Sequence, residues 1–380
     1  MGMFSKIRVC YILSHLPQGG AERQTMNLIK ALDPSRYDIT IVLYANTEIF
    51  YKEILELPIR LLVHQPSSVC KLFRDITNAL FLRRVLAEND FDVLHTLLFH
   101  NGFWVRLVAP RKYNQRIIYS IRNNLNDGPR FYLFFERLLI RRSYVITNSN
   151  KARNQFILLV GNKYNHKLFN IYNGYDLLKF NLDEQTPLGE KIIIGTVGRQ
   201  VPQKNQIQIL EAINQITKKH RVHFFIIGDK SYDSFITNEN YVNSNNLQSC
   251  VTIMDSQPEI ERYYWQFNIF VLSSIYEGCP NVLFEAMLAR CLCIVSKGAN
   301  SDHFVIDGIN GLVYDGSTSM LTKKLEAAIE LLQSENGNSI IENGHRYARE
   351  NFSMHQMVNN YESIYKMIVK TKSNQGRYDQ

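Results

Sequence analysis

From end to end, short apolar runs of β type alternate with helix-length amphipathic runs. That alternation restricts the chain to parallel sheets covered by helices on both faces. The first half reads as strand "IRVCYILSHL", then a glycine turn and helix, "GGAERQTMNLIKAL". Strands "YDITIVLYA" and "PIRLLVH" follow, then a helix over 69–87, strand "FDVLHTLL" and a helix over 101–109. Strand "QRIIYSI", a helical run over 130–142 and strand "YVITNS" complete this half. An irregular stretch, 168–188, reads as a linker. A second alternating set opens at "KIIIGTVG" and continues with a helix over 206–219, strands "HFFIIGD" and "CVTIM" and a helix over 258–267. Strands at 269–272, "LCIVS" and "GLVYD" come next, with helices over 320–333 and 340–351. A last helical run, 354–369, precedes a polar tail expected to fray.

The 380 residues exceed one ordinary core. The expected architecture is α/β, with two Rossmann-like doubly wound domains facing across a cleft. The first spans 1–185 and the second 186–353. The cleft between them is the default ligand site.

Charge is distributed unevenly. Residues 1–175 hold 24 Lys and Arg against 12 Asp and Glu, or +12; the remainder hold 19 against 23, or −4. A basic first half calls for an anionic partner: a membrane surface, a phosphate-bearing substrate or nucleic acid. No nucleic-acid-binding motif is present, so nucleic acid is set aside. No apolar run approaches the ~20 residues that span a bilayer. The N-terminal apolar run reads as a first strand rather than a signal peptide. None of the six cysteines forms a CxxC pair, and Cys291 and Cys293 suit neither a disulfide framework nor a zinc site. The expected location is cytoplasmic.

The most informative stretch is "FVLSSIYEGCPNVLFEAMLAR". A strand breaks at Ser273 and Ser274, a loop carries Glu277, Gly278 and Pro280, and a helix follows with Glu285 in its second turn. Open α/β sheets build ligand sites at such strand-to-helix junctions. The helix start offers N–H donors to a phosphate, and the carboxylates accept hydrogen bonds from hydroxyl groups. A solvated helix with acids near its N-terminal end fits the spacing equally well.

Three other strand ends belong with it. Gly19 and Gly20 follow the first strand, where absent side chains let backbone approach a ligand. In "GTVGRQVPQKN", Gly198 ends a strand and Arg199 and Lys204 follow, a cationic pair suited to a diphosphate. Gly228-Asp229 ends another strand and reads as a structural turn. Asp90-Phe91-Asp92 forms a DxD, read as a surface turn at a strand start; no metal is expected.

The ordered set "GGAE…NGYD…VGR…KN…GD…YEGCPNVLFEA…NGLVYD" resembles the retaining glycosyltransferases of family 4, which have the two-domain GT-B fold. The resemblance covers nearly the whole chain. It implies a hexosyltransferase using a nucleotide-diphosphate sugar, most commonly uridine-linked, without metal or other cofactor. By similarity, Glu285 holds the ribose hydroxyls, Arg199 and Lys204 neutralise the departing diphosphate, and Glu277 contacts the donor sugar. Gly20 and the N–H groups of Asn281 and Val282 cradle phosphate. The last helix crosses back to the first domain, so 354–380 belongs there. Retention of anomeric configuration, by front-side attack, is implied as well. The implied acceptor is a glycan or a polyprenyl-linked sugar of bacterial surface polysaccharide.

The chain departs from the family in two places. Arg122 stands where a His is usual, and an Arg cannot act as a general base; a contact to the donor phosphate or an acidic acceptor is the expected role. "KGANSDHFVIDG" replaces a Gly-Gly then Glu pattern. His95 and His100 either face the acceptor or are satisfied core histidines. "RFYLFFERLLIRRSY" fits a core helix with a basic face, or an interfacial helix on anionic lipid at the inner membrane face. A sugar-nucleotide epimerase of the same architecture and a catalytically silent partner subunit are the rival functions.

Overall fold

The computed structural model describes residues 6–13, 20–44, 50–65, 70–122, 130–180 and 187–375. They form two units. Unit 1 is Met1–Gly174 with Met354–Gln380, and unit 2 is Tyr175–Ser353.

In unit 1 the strands are β1 (Ile7–Leu13), β2 (Tyr37–Leu43), β3 (Arg60–Val63), β4 (Val93–Leu97), β5 (Ile117–Ile121), β6 (Ser143–Thr147) and β7 (Leu168–Asn170). They pair in parallel in the order β3-β2-β1-β4-β5-β6-β7. The helices are α1 (Gly20–Ala31), α2 (Phe50–Leu55), α3 (Lys71–Glu88), α4 (Phe99–Val108), α5 (Arg130–Leu139) and α6 (Asn150–Val160). Side chains of β4 and β5 are buried throughout, because helices cover both faces of the sheet. The C-terminal helix (Met354–Gln375) and α1 pack on one face around Tyr11, Met357, Tyr361 and Tyr365. On the other face, α3 and α4 pack around Ile12, Leu82, Leu86 and Val105.

Unit 2 starts at α7 (Leu177–Phe180) and contains β8 (Ile192–Val197), α8 (Gln206–Ile216), β9 (Val222–Ile227), α9 (Asp233–Ser244), β10 (Val251–Met254) and α10 (Glu261–Tyr264). It continues with β11 (Ile269–Leu272), α11 (Asn281–Leu288), β12 (Leu292–Ser296), β13 (Leu312–Tyr314), α12 (Thr318–Leu331) and α13 (Glu335–Asn351); the C-terminal helix of unit 1 is then α14. Its strands pair in parallel in the order β10-β9-β8-β11-β12-β13.

Three expectations change. The division falls at Gly174 and Tyr175, ahead of the 185/186 boundary read from the sequence. Tyr175 N–H donates to the Phe352 carbonyl and Phe180 packs edge-on against Tyr264, which ties this segment to unit 2. The supposed linker over 168–188 begins with β7, paired to β6. The tail is helical as far as Gln375, and Lys372 Nζ reaches Asp92 at 2.7 Å, an anchor that opposes fraying.

Candidate functional site

The carboxyl edge of the second sheet gathers the loops that follow β8, β11 and β12. At the end of β8 the backbone turns at Gly198, whose φ is 151°. The end of β9 comes so close that a Cβ on Gly228 would lie 2.0 Å from the Gly198 carbonyl oxygen, so only glycine fits there. The loop then forms a single 3-10 turn, Pro202–Lys204, and Asn205 adopts φ 51° to enter α8. Asn tolerates that left-handed backbone better than most residues.

This loop is fastened to the one after β11. Gln203 Nε2 donates to the Tyr276 carbonyl at 2.8 Å, and Ile275 N–H donates to the Gln203 carbonyl at 2.8 Å. Ser273 Oγ reaches the Lys204 and Asn205 carbonyls at 2.8 and 3.0 Å. Lys204 Nζ then sits 2.5 Å from Glu277 Oε1, with the two side chains only 16% and 10% exposed. The loop after β12 joins through Ser301 Oγ, which donates to the Glu277 carbonyl at 3.0 Å. An amine and a carboxylate are thus held together at the sheet's edge by three loops fastened to one another.

Pro280 caps α11 in an extended conformation rather than lying inside its first turn. Asn281 and Val282 are therefore the first helical residues, at the end of the helix where backbone N–H groups point outward. Asn281 Oδ1 accepts from Tyr175 OH at 2.6 Å. Glu285, 8% exposed, accepts from Tyr264 OH at 2.9 Å. Burial, and then the Glu285 charge, push the Tyr264 phenol well above its usual range, so it stays a donor. Arg199 lies beside Tyr232, its guanidinium 6.0 Å from the ring centre. Asp229 makes an Asx turn, accepting from Ser231 N–H at 2.9 Å, which gives it a local structural task.

Unit 2 therefore brings Gly198, Lys204 and Glu277 together and places Asn281, Val282 and Glu285 on the adjoining helix. The remaining sequence candidates lie in unit 1. Gly19 is outside the described residues, and Gly20 opens α1. Arg122, at the end of β5, donates to Asn173 Oδ1 and to Tyr361 OH, both at 2.6 Å. Its terminal nitrogens thus clamp α14 and the segment ahead of unit 2, an occupation the sequence did not disclose. His95 is the satisfied core histidine, 1% exposed between Tyr365 OH at 3.0 Å and Ser120 Oγ at 2.8 Å. Burial, helped by Arg122, pushes it down to about 3, so it is neutral. His100 Nε2 pairs with Asp75 at 3.0 Å. Of the DxD, Asp90 pairs with Arg8 and Asp92 with Arg8 and Lys372. Burial raises Asp92, but the Arg8 and Lys372 hydrogen bonds outweigh it and hold the carboxyl at about 2.

Sequence reasoning missed Gln203 and Tyr264 as supports of the site, and read Ser273 only as the end of a strand and Ser301 only as a neighbour of the donor sugar. The break after β11 at Ser273-Ser274 was the one available signal.

Comparison with known proteins gives a consistent picture. Residues 179–347 match the family described as glycosyl transferases group 1, and residues 18–178 match glycosyltransferase family 4. EpsF of Bacillus subtilis is 27% identical over 77% of this chain and 79% of its own length. An Escherichia coli relative is named UDP-Gal:alpha-D-GlcNAc-diphosphoundecaprenol alpha-1,3-galactosyltransferase; it is 22% identical over 90% of this chain and 93% of its own. Among solved structures, Anabaena Alr3699/HepE in complex with UDP and glucose superposes with a TM-score of 0.79 at 18% identity, covering 95% of this chain and all of that one. That likeness shows the GT-B fold.

Proposed function

This chain belongs to the group 1 glycosyltransferases of family 4, and from that membership we propose that it moves a hexose from a uridine-diphosphate sugar to a glycan or lipid-linked acceptor during surface-polysaccharide synthesis. The observation that carries the reading is the Lys204–Glu277 contact at the carboxyl edge of the second sheet, with Glu285 on the helix that follows the Glu277 loop. A diphosphate there would meet Lys204, Arg199 and the N–H groups of Asn281 and Val282. Glu285 would accept from the ribose hydroxyls and Glu277 from the hexose. Gly198 would leave room for the phosphates.

Breaking the bond between hexose and diphosphate builds negative charge on the leaving group and positive charge on the sugar. A fixed ammonium favours the first and a fixed carboxylate the second, and neither must reorganise during the reaction. Metal is not part of the proposal. No dedicated nucleophile is needed if the acceptor attacks from the face the diphosphate leaves, which gives retention at the anomeric carbon. Arg122, whose terminal nitrogens donate to Asn173 and Tyr361, enters as a residue that positions α14 within unit 1. The base and the lipid-linked acceptor are supported by the UDP bound to the Anabaena protein and by the diphosphoundecaprenol in the E. coli relative's name.

The test is acceptor-dependent release of UDP from UDP-hexoses, with the anomeric configuration of the product read by NMR. Transfer with retention supports the reading. Conversion of the sugar nucleotide without acceptor would mark an epimerase. Donor binding without either reaction would mark a silent subunit.

A further inference from the structure

We propose that the α3–α5 face of unit 1 is a docking site for an anionic lipid bilayer. Helix α5 buries its one acidic residue, Glu136, beside Leu139, in a two-pronged pair with Arg106 of α4 at 2.6 and 2.7 Å, and leaves large apolar side chains outside. Arg106 in turn lies over the Tyr119 ring at 4.1 Å. Its outward face carries Phe131, Phe134 and Leu138, which three- and four-residue spacing places in one stripe. Phe134 is 77% exposed and the other two 61%. A helix of a water-facing surface has the opposite arrangement.

Helix α3 repeats the pattern. Phe73, Ile76 and Leu80 share its outer face with Arg83 and Arg84, and Leu72 is exposed beside them. Both helices pack against α4, whose Leu107 is also half exposed. Each follows a strand of the parallel sheet, so their first turns, which carry Leu72, Phe73 and Phe131, lie toward its carboxyl edge.

Charge decides the occupant. Arg74, Arg83 and Arg130 are exposed around the apolar residues. Two of the three acids of these helices are withdrawn, Glu136 by burial and Asp75 beside His100, and the third, Glu88 at the far end of α3, pairs with Arg84. Aromatic and aliphatic side chains rimmed by arginine match the boundary between acidic headgroups and acyl chains. Among the described residues no helix is long and apolar enough to cross a membrane, so the attachment is peripheral. Docking would turn the carboxyl edge of this sheet toward lipid.

The test is flotation of the full chain with vesicles of phosphatidylcholine alone or mixed with phosphatidylglycerol. The protein should float with the mixed vesicles, less so at high salt, and not with phosphatidylcholine alone. Phe131→Ser/Phe134→Ser should abolish flotation while melting cooperatively. Arg83→Gln/Arg130→Gln, with exposed side chains, should weaken binding about fivefold per cation removed. Absence of flotation with the mixed vesicles, or equal flotation of the serine variant, would overturn the proposal. So would a dimer seen by light scattering that the serine variant dissolves, because a second copy would then cover the face. None of these readouts depends on donor or acceptor chemistry.

Discussion

Lys204 Nζ lies 2.5 Å from Glu277 Oε1, although 73 positions separate the two residues in the chain. The contact crosses from the loop after β8 to the loop after β11, and Gln203 and Ser273 lock both loops in place. A cation and an anion are thereby kept together at a sheet edge with little access to water, where each interacts more strongly with a charged ligand than it would on an open surface.

Replacing Lys204 with Ala should slow turnover by about 10²–10³-fold, the usual loss when a preorganised charge at a leaving group is removed. It also strands Glu277, so the variant should melt earlier than the parent. The Lys204→Ala/Glu277→Gln double variant should recover part of that stability but none of the rate. Paired melting curves and kcat values read the two effects separately.

Glu285→Ala should weaken donor binding about tenfold, the loss of roughly one charged hydrogen bond. Because Glu285 also accepts from the buried Tyr264 hydroxyl, some of the loss would come from a disturbed support. Tyr264→Phe removes that support while keeping the carboxylate, and calorimetry should find it closer to the parent than Glu285→Ala.

The alternation of strands and helices was legible because buried parallel strands such as β4, β5, β11 and β12 are largely apolar runs, buried on both faces. Glu277, Glu285 and Lys204 were legible because each follows a strand. Other parts were not. Helix α9, Asp233–Ser244, buries only Asn238 and Val242, so it shows no apolar period. Helix α6 was passed over although Ser149 caps it, accepting from Ala152 N–H at 3.1 Å. The burial of Glu136 in α5 could not be read, since it requires Arg106, 30 residues away, as its partner.

That buried pair gives a stability prediction. Arg106→Met alone should cost about 3–5 kcal/mol, because it leaves Glu136 charged and unpaired in the interior. Arg106→Met/Glu136→Leu should recover most of the loss. Urea denaturation of the two variants distinguishes this from a simple packing defect, which the second substitution would not repair.

His95 sets an acid limit. Its folded-state value, about 3, is below the ordinary value of 6.5, so the unfolded chain binds the extra proton between those limits. Its contribution to stability is intact above 6.5, declines as pH falls, and reaches its full loss near 3. The slope within that window approaches about 1.4 kcal/mol per pH unit. His95→Gln should flatten the fall in melting temperature between pH 6.5 and 5.

The most direct measurement is a thermal-shift screen of the full chain against uridine-, guanosine- and adenosine-diphosphate sugars. A ligand that binds only the folded protein raises its melting temperature. At least one uridine-diphosphate sugar should do so, with a smaller rise in Glu285→Ala at the same donor concentration. No rise with any donor, or a rise undiminished in Glu285→Ala and in Lys204→Ala alike, would contradict the placement of the donor at this edge.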